Sequence, residues 1–95
     1  MAEELKYKIA YSSSFKKDMK SLSEEEKSEA KAVIQKLAKG EILEEKYKDH
    51  QLSGKLKEFR DCHIRPDLIL VYKIVDNILE LYTYRIGSHS KLFKK

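Results

Sequence analysis

Three histidines, His50, His63 and His89, are the groups in this chain best suited to acid–base chemistry. An imidazole titrates near pH 6.5, so it can give or take a proton under physiological conditions. None lies in the first forty residues, which read as helical scaffold. Each falls at or near the end of an expected element: a connector, the exit of one strand, the exit of the last strand. Asp67 adds a carboxylate that could orient an imidazole or accept a proton itself. Arg60, Arg65 and Arg85 add guanidinium groups suited to holding a phosphate and stabilising charge that develops on it, with Lys48 and Lys55 nearby in sequence. Phe93 and Tyr47 offer flat rings on which a base could stack. Converging imidazoles could move protons both ways in one reaction.

Each residue also has a plainer reading. A lone exposed histidine usually decorates a surface, and function has to be argued from a site. Asp67 beside Pro66 is a common turn pair. Arg60 and Arg65 suit solvated strand positions, Phe93 suits a terminal core plug, and tyrosines fit strands as well as they fit RNA. No HxxxH or CxxC spacing occurs, so neither a metal site nor a cofactor is expected. Cys62 adjoins His63, and neighbouring strand residues point to opposite faces, which argues against a Cys–His nucleophile pair.

The elements that must position these groups follow from periodicity. Lys6 to Tyr11 alternates polar and apolar, as a half-buried strand does. Serines 12–14 offer an N-cap to a short helix carrying Phe15, Met19 and Leu22 on one face. Ser23-Glu24-Glu25-Glu26 is a capping-box pattern, and the helix after it puts Ala30, Val33, Ile34, Leu37 and Ala38 on one stripe before Gly40 stops it. Residues 41–57 form a connector of weak structural signal, and connectors of that length are more often functional than idle. Phe59 to Ile64 reads as a strand, Pro66-Asp67 as a turn, and the unbroken apolar run Leu68 to Tyr72 as a central strand covered on both faces. Asp76-Asn77 is a second turn. Ile78 to Ile86 reads as the last strand, with Leu79, Leu81 and Thr83 on one face and Tyr82, Tyr84 and Ile86 on the other. Gly87-Ser88 ends it, and His89 to Phe93 forms one helical turn that sets His89 and Phe93 on one side. The order β-α-α-β-β-β predicts an α+β fold: a small antiparallel sheet packed on a helical hairpin.

The 95 residues suffice for one domain, 1–95, with no repeat or linker. The net charge of +4 suits a polyanionic partner, but basic and acidic groups are mixed along the chain, so a basic patch must arise from folding. A single cysteine excludes an internal disulfide and fits a reducing cytoplasm. No apolar run has membrane-spanning length and no signal-peptide core is present, so no membrane partner is expected.

From about Tyr7 to Phe93 the chain resembles the YafQ-type toxins of the RelE/ParE superfamily. Three stretches carry the resemblance: Tyr47 to Leu52 with Gly54 and Lys55, then Phe59 to Asp67, then Arg85 to Phe93. Their order and spacing together are specific. The resemblance implies a microbial RNase fold and a ribosome-dependent endoribonuclease that cuts messenger RNA. It also implies the toxin half of a toxin–antitoxin pair, its partner an antitoxin of ribbon–helix–helix type. It marks His50, His63, Asp67, His89 and Phe93 as the catalytic set, with Arg85 as a phosphate contact. The chain departs from the pattern at Leu68, where some relatives carry tryptophan. The implied chemistry is metal-independent attack of a ribose 2′-OH on its phosphodiester, with His50 or Asp67 as base, His89 as acid and His63 stabilising. Two alternatives belong to other classes. One is a non-enzymatic ParE-like inhibitor of a topoisomerase such as DNA gyrase, which would not need a cluster of titratable groups. The other is a housekeeping RNA-binding module, for which the chain lacks a signature motif.

Overall fold

The computed structural model describes residues 5–93, so the ends of the expected domain, 1–4 and 94–95, lie outside the described residues. Strand β1 (Lys8–Tyr11) leads through helices α1 (Ser13–Lys20) and α2 (Glu24–Ala38) to a two-residue strand β2 (His50–Gln51). Strands β3 (Arg60–Arg65), β4 (Leu68–Val75) and β5 (Glu80–Gly87) follow, and α3 (His89–Leu92) ends the described chain. The sheet order is β1-β5-β4-β3-β2.

Local chemistry sets the helices. Ser12 Oγ accepts from the Phe15 amide at 2.9 Å and caps α1. At α2 the full capping box forms: Ser23 Oγ accepts from the Glu26 amide at 3.1 Å, and the Glu26 carboxylate accepts from the Ser23 amide at 2.8 Å. The stripe Ala30, Val33, Ile34, Leu37 and Ala38 is buried throughout. It packs into a core shared with Cys62, Leu68, Leu70, Tyr72, Leu81 and Ile86 of the sheet. Each Val, Leu or Ile so buried contributes roughly 1.5–3 kcal/mol relative to exposure. Gly40 stops the helical hairpin at φ +84°, a conformation that suits glycine.

The expected α+β class and helical hairpin are present, with three corrections to the sheet. It is mixed, because β1 runs parallel to β5 while the other pairs are antiparallel. Alternation in Lys6 to Tyr11 reports a half-buried strand but not the direction of its partner. A strand not expected from the sequence, β2, forms within the connector by pairing with Arg60 and Asp61 of β3. The last strand begins at Glu80, after a 3₁₀ turn over Asp76–Ile78 and a left-handed Leu79 at φ 48°; Ile78 and Leu79 are exposed at 60% and 50%.

Ile86 is on the face opposite to the expected one. Val71 pairs with Arg85 and Tyr72 with Thr83, so Tyr84 is an extra residue on β5. This bulge shifts the alternation by one and returns Ile86, paired with Leu70, to the helix-facing core beside Leu81 and Thr83.

The same end of β5 has no strand on the edge away from β4, because β1 stops opposite Thr83. Helix α1 closes the edge instead. Ser12 Oγ donates to the Tyr84 carbonyl, and Asp18 Oδ2 accepts the Ile86 amide at 3.0 Å. Asp18 also takes Arg85 Nε at 2.7 Å and Nη2 at 3.1 Å, with Lys91 Nζ at 3.4 Å, so one buried carboxylate joins α1, β5 and α3. Burial alone would raise the Asp18 pKa. The Arg85 hydrogen bonds, the Ile86 amide and the Lys91 contact outweigh it and hold the carboxyl below its ordinary value. A depressed carboxyl pKa stabilises the fold above the ordinary carboxylate range, and that contribution is lost as pH falls through the lowered pKa. Asp18→Ala would leave Arg85 unpaired and the β5 edge open, at a cost of about 3 kcal/mol. The expected outcome in a calorimetric melt at neutral pH is a drop of about 12–24 °C. The gap to the parent should shrink in acid. An unchanged melting temperature at neutral pH would refute the role given to Asp18.

Candidate active site

The sheet has one face on the helices and one open face. Cys62, Leu70 and Tyr72 point into the core, so the alternate residues Asp61 and His63 of β3, opposite Val71 and Ile69 of β4, lie on the other side. Beyond Gly87 the chain turns into α3 over this open face. A Cβ at position 87 would lie 3.2 Å from Lys91 Cδ and 3.4 Å from Leu92 Cδ2, so glycine permits the close approach.

Asp67 holds α3 in place. Its Oδ1 accepts the His89 amide at 3.1 Å, so the turn after β3 is tied to the start of α3. The His89 and Phe93 rings then face each other with centroids 5.1 Å apart, as the one-turn spacing predicts. Phe93 is half-buried and is not a member of the core cluster.

His50 is delivered by β2. Its exposed ring places Nδ1 2.8 Å from the Lys48 carbonyl and 3.1 Å from Asp61 Oδ1. A carbonyl can only accept, so Nδ1 carries the proton and Nε2 of the neutral ring keeps a free lone pair. Lys48 offers that carbonyl from a left-handed conformation at φ 49°. The connector is anchored one residue earlier: Asp49 Oδ1 accepts the buried Tyr72 hydroxyl at 2.6 Å and Arg60 Nε at 3.3 Å.

Asp61 is the functional candidate that sequence reasoning missed. Its Oδ1 is buried and, although 3.1 Å from His50 Nδ1, has no well-aligned hydrogen-bond donor among the described residues. Burial pushes its carboxyl above the ordinary value; the nearby His50, His63 and His89 pull it down, and Asp49 pushes it up. One carboxylate thus lies within the field of all three histidines. Strand alternation places Asp61 on the His63 face, and this period-two relation was the available signal. The pairing with His50 crosses to β2, a strand that the sequence did not announce.

The expected phosphate contacts fall into two groups. Arg60 pairs with Asp49, Arg65 with Glu29 of α2 at 2.6 Å, and Arg85 with Asp18, so all three guanidinium groups are held by carboxylates. Lys48 and Lys55 are exposed. Lys48 lines a groove of about 690 Å³ between α2 and the outer edge of β3, together with Lys36, Lys46, Tyr47, His63 and Arg65. The Lys36 and Lys46 ammonium groups lie 5.7 and 5.3 Å from the Tyr47 ring centroid. Lys55 lies apart, in the 3₁₀ turn Gly54–Leu56. Cys62 is buried on the core side, its thiol pKa raised by burial, and takes no part in the open face.

A five-stranded mixed sheet backed by a helical hairpin, with His63 on its open face, defines a small α+β protein. A family model described as "Bacterial toxin of type II toxin-antitoxin system, YafQ" matches residues 7–94. The mRNA interferase toxin YafQ of Escherichia coli K12 is 38% identical over 88 residues, covering 90% of this chain and 94% of that protein. The toxin in the crystal structure of the E. coli DinJ–YafQ toxin–antitoxin complex is 36% identical with a TM-score of 0.81, covering 94% and 99% of the two chains. A metal-bound toxin from Helicobacter pylori is 41% identical with a TM-score of 0.81, covering 92% and 99%. The chain belongs to the YafQ family of type II toxin–antitoxin toxins, whose curated E. coli relatives are mRNA interferases, that is, endoribonucleases.

Asp61 titrates upward, so its ionised form opposes folding. The sign follows from linkage: a carboxyl with a raised pKa in the fold lowers stability as pH rises through that pKa. Asp61→Asn should therefore melt at or above the parent temperature at neutral pH, and the gain should vanish in acid. RNA cleavage should fall on the order of a hundredfold, because His50 loses its anionic neighbour and its fixed geometry. Parallel melting curves and cleavage rates check both halves. Full cleavage by the variant would remove Asp61 from the site.

Proposed function

We propose that this toxin cuts messenger RNA on the ribosome by metal-independent acid–base chemistry. The supporting observation is that His50 lies 3.1 Å from buried Asp61, with His63 on the same sheet face and His89 held by Asp67 at the start of α3. His50 Nε2 removes the proton from a ribose 2′-OH. The 2′-oxygen forms a bond to the adjacent phosphorus, the bond to the 5′-oxygen breaks, and His89 protonates that leaving oxygen. The products are a 2′,3′-cyclic phosphate and a free 5′-hydroxyl. His63 and Arg85, the latter partly exposed beside Asp18, stabilise the negative charge at phosphorus. His50 suits the base better than Asp67, whose carboxylate is engaged in holding α3. Phe93 packs against His89 and walls the leaving-group side. The basic groove at Lys36, Lys46 and Lys48 suits backbone phosphates entering beside His63.

A cognate antitoxin of ribbon–helix–helix type holds the toxin silent, as the complex of the E. coli relative with DinJ suggests by analogy. An acidic antitoxin segment suits a toxin of net charge +4. The place of action is the cytoplasm, where ribosomes translate. Among the described residues no helix is long and apolar enough to cross a membrane. Nor does any group of three or more His, Cys, Asp or Glu side chains assemble as a metal-holding cluster.

The test is 5′-end mapping of a message in a purified translation system. The expected result is cuts within the reading frame that require the ribosome. Intact messages with DNA damage would instead indicate a topoisomerase inhibitor. His89→Ala should cost about 10²–10⁴-fold in cleavage with little change in melting temperature, and Phe93→Ala should also lose cleavage more than stability. A Phe93→Ala protein that melts far below the parent would assign the ring to structure. Activity that tracks a stoichiometric protein-bound metal would overturn the metal-independent mechanism.

A further inference from the structure

The open face carries a second cluster that the mechanism leaves unused. Phe59 and Tyr84 stack with centroids 4.7 Å apart and planes inclined by 30°. Tyr82 and Tyr84 continue the row at 6.3 Å and 29°. Lys73 Nζ lies 5.2 Å from the Phe59 centroid and 5.8 Å from that of Tyr82, with the exposed Glu58 carboxylate 3.8 Å from the same ammonium. Register places the row on the catalytic side of the sheet. Lys73 pairs with Tyr82, and Phe59 precedes Asp61 by two residues on one chain, about 7 Å away on the same face. All three rings are only half-buried, and neither tyrosine hydroxyl has a hydrogen-bond partner among the described residues.

We propose that Phe59, Tyr82 and Tyr84 with Lys73 form a stacking platform for unpaired nucleotides of the message, next to the cleaved bond. The inference rests on the nuclease reading above and names where the flanking bases go. Three features fit RNA. Flat rings with accessible faces accept any base, since every base has a π-face. The ammonium among the rings complements a phosphate, and its pair with exposed Glu58 is weak and readily exchanged. The platform is continuous with the site, so a single strand can cross both without leaving the sheet. Open sheets that stack bases on aromatic side chains are an established mode of single-strand RNA recognition.

The experiment measures binding of fluorescein-labelled oligoadenylate to the intact toxin by anisotropy, beside a thermal melt of each variant. The parent should bind. Tyr84→Leu and Tyr82→Leu should each weaken binding about 5- to 100-fold, the range expected for losing one stacked base. Lys73→Gln should weaken binding and flatten its salt dependence. Tyr84→Phe keeps the ring and should bind within about twofold of the parent, because the hydroxyl makes no hydrogen bond among the described residues. Oligoadenylate binding is read apart from message cleavage. Retained oligoadenylate binding by a toxin that leaves messages uncut would therefore fail the nuclease reading and not the platform. The platform is overturned if the parent does not bind the oligonucleotide, or if both leucine variants bind as tightly as the parent. It is overturned equally if Tyr84→Phe loses as much as Tyr84→Leu. Weakened antitoxin binding with unchanged oligoadenylate binding would assign the face to a protein partner and likewise overturn it. Should Tyr84→Leu melt far below the parent, Tyr82→Leu and Lys73→Gln carry the test.

Discussion

The arrangement of the open face depends on how the upper end of β5 is closed. A bare strand edge presents unpaired backbone groups, and β1 is too short to cover it. Asp18 supplies an acceptor where a neighbouring strand would have supplied a carbonyl, and it gathers Arg85 and Lys91 in the same contact. A buried carboxylate is costly unless its lone pairs are filled, and here they are. The consequence reaches the site. With β5 pinned past its bulge, Ile86 returns to the core and Gly87 opens room for α3. His89 then begins α3 under the Asp67 cap.

Asp61 shows the opposite balance. Its Oδ1 is buried without a well-aligned donor, and its pKa moves up rather than down. Such a group adds little to folding. It is useful where a carboxylate must face imidazoles in a partly dehydrated place, because electrostatic coupling there is stronger than in water. Asp18 thus holds the frame, whereas Asp61 lies buried beside His50. The two differ by what surrounds them and not by residue type.

The three arginines make a related point. Each is engaged by an acidic side chain, whereas Lys46 and Lys48 of the connector are exposed beside the groove that His63 lines. Lysines are flexible point charges suited to a phosphate backbone of variable path, whereas a paired guanidinium is a fixed strut. RNA can therefore meet a rigid framework carrying mobile charge, with aromatic rings along the same sheet face.

The sequence by itself determined the elements whose signals are local. The capping box at Ser23, the apolar stripe of α2, the stop at Gly40 and the buried run from Leu68 all depend on neighbours within a few residues. The one-turn relation of His89 and Phe93 was legible for the same reason, as was the convergence of family-like motifs that named the histidines. Only the tertiary structure decided what depends on distant partners. The direction of β1, the existence of β2 and the bulge at Tyr84 arise from pairing between strands far apart in the chain. Because alternation has a period of two, one inserted residue reversed the side of Ile86. The role of Asp61 was hidden likewise: its partner His50 comes from a strand too short to show a pattern, and its burial is a property of the packed sheet. The same holds for the pairing of Arg85 with Asp18, 67 residues apart in the chain, which contact geometry alone could reveal.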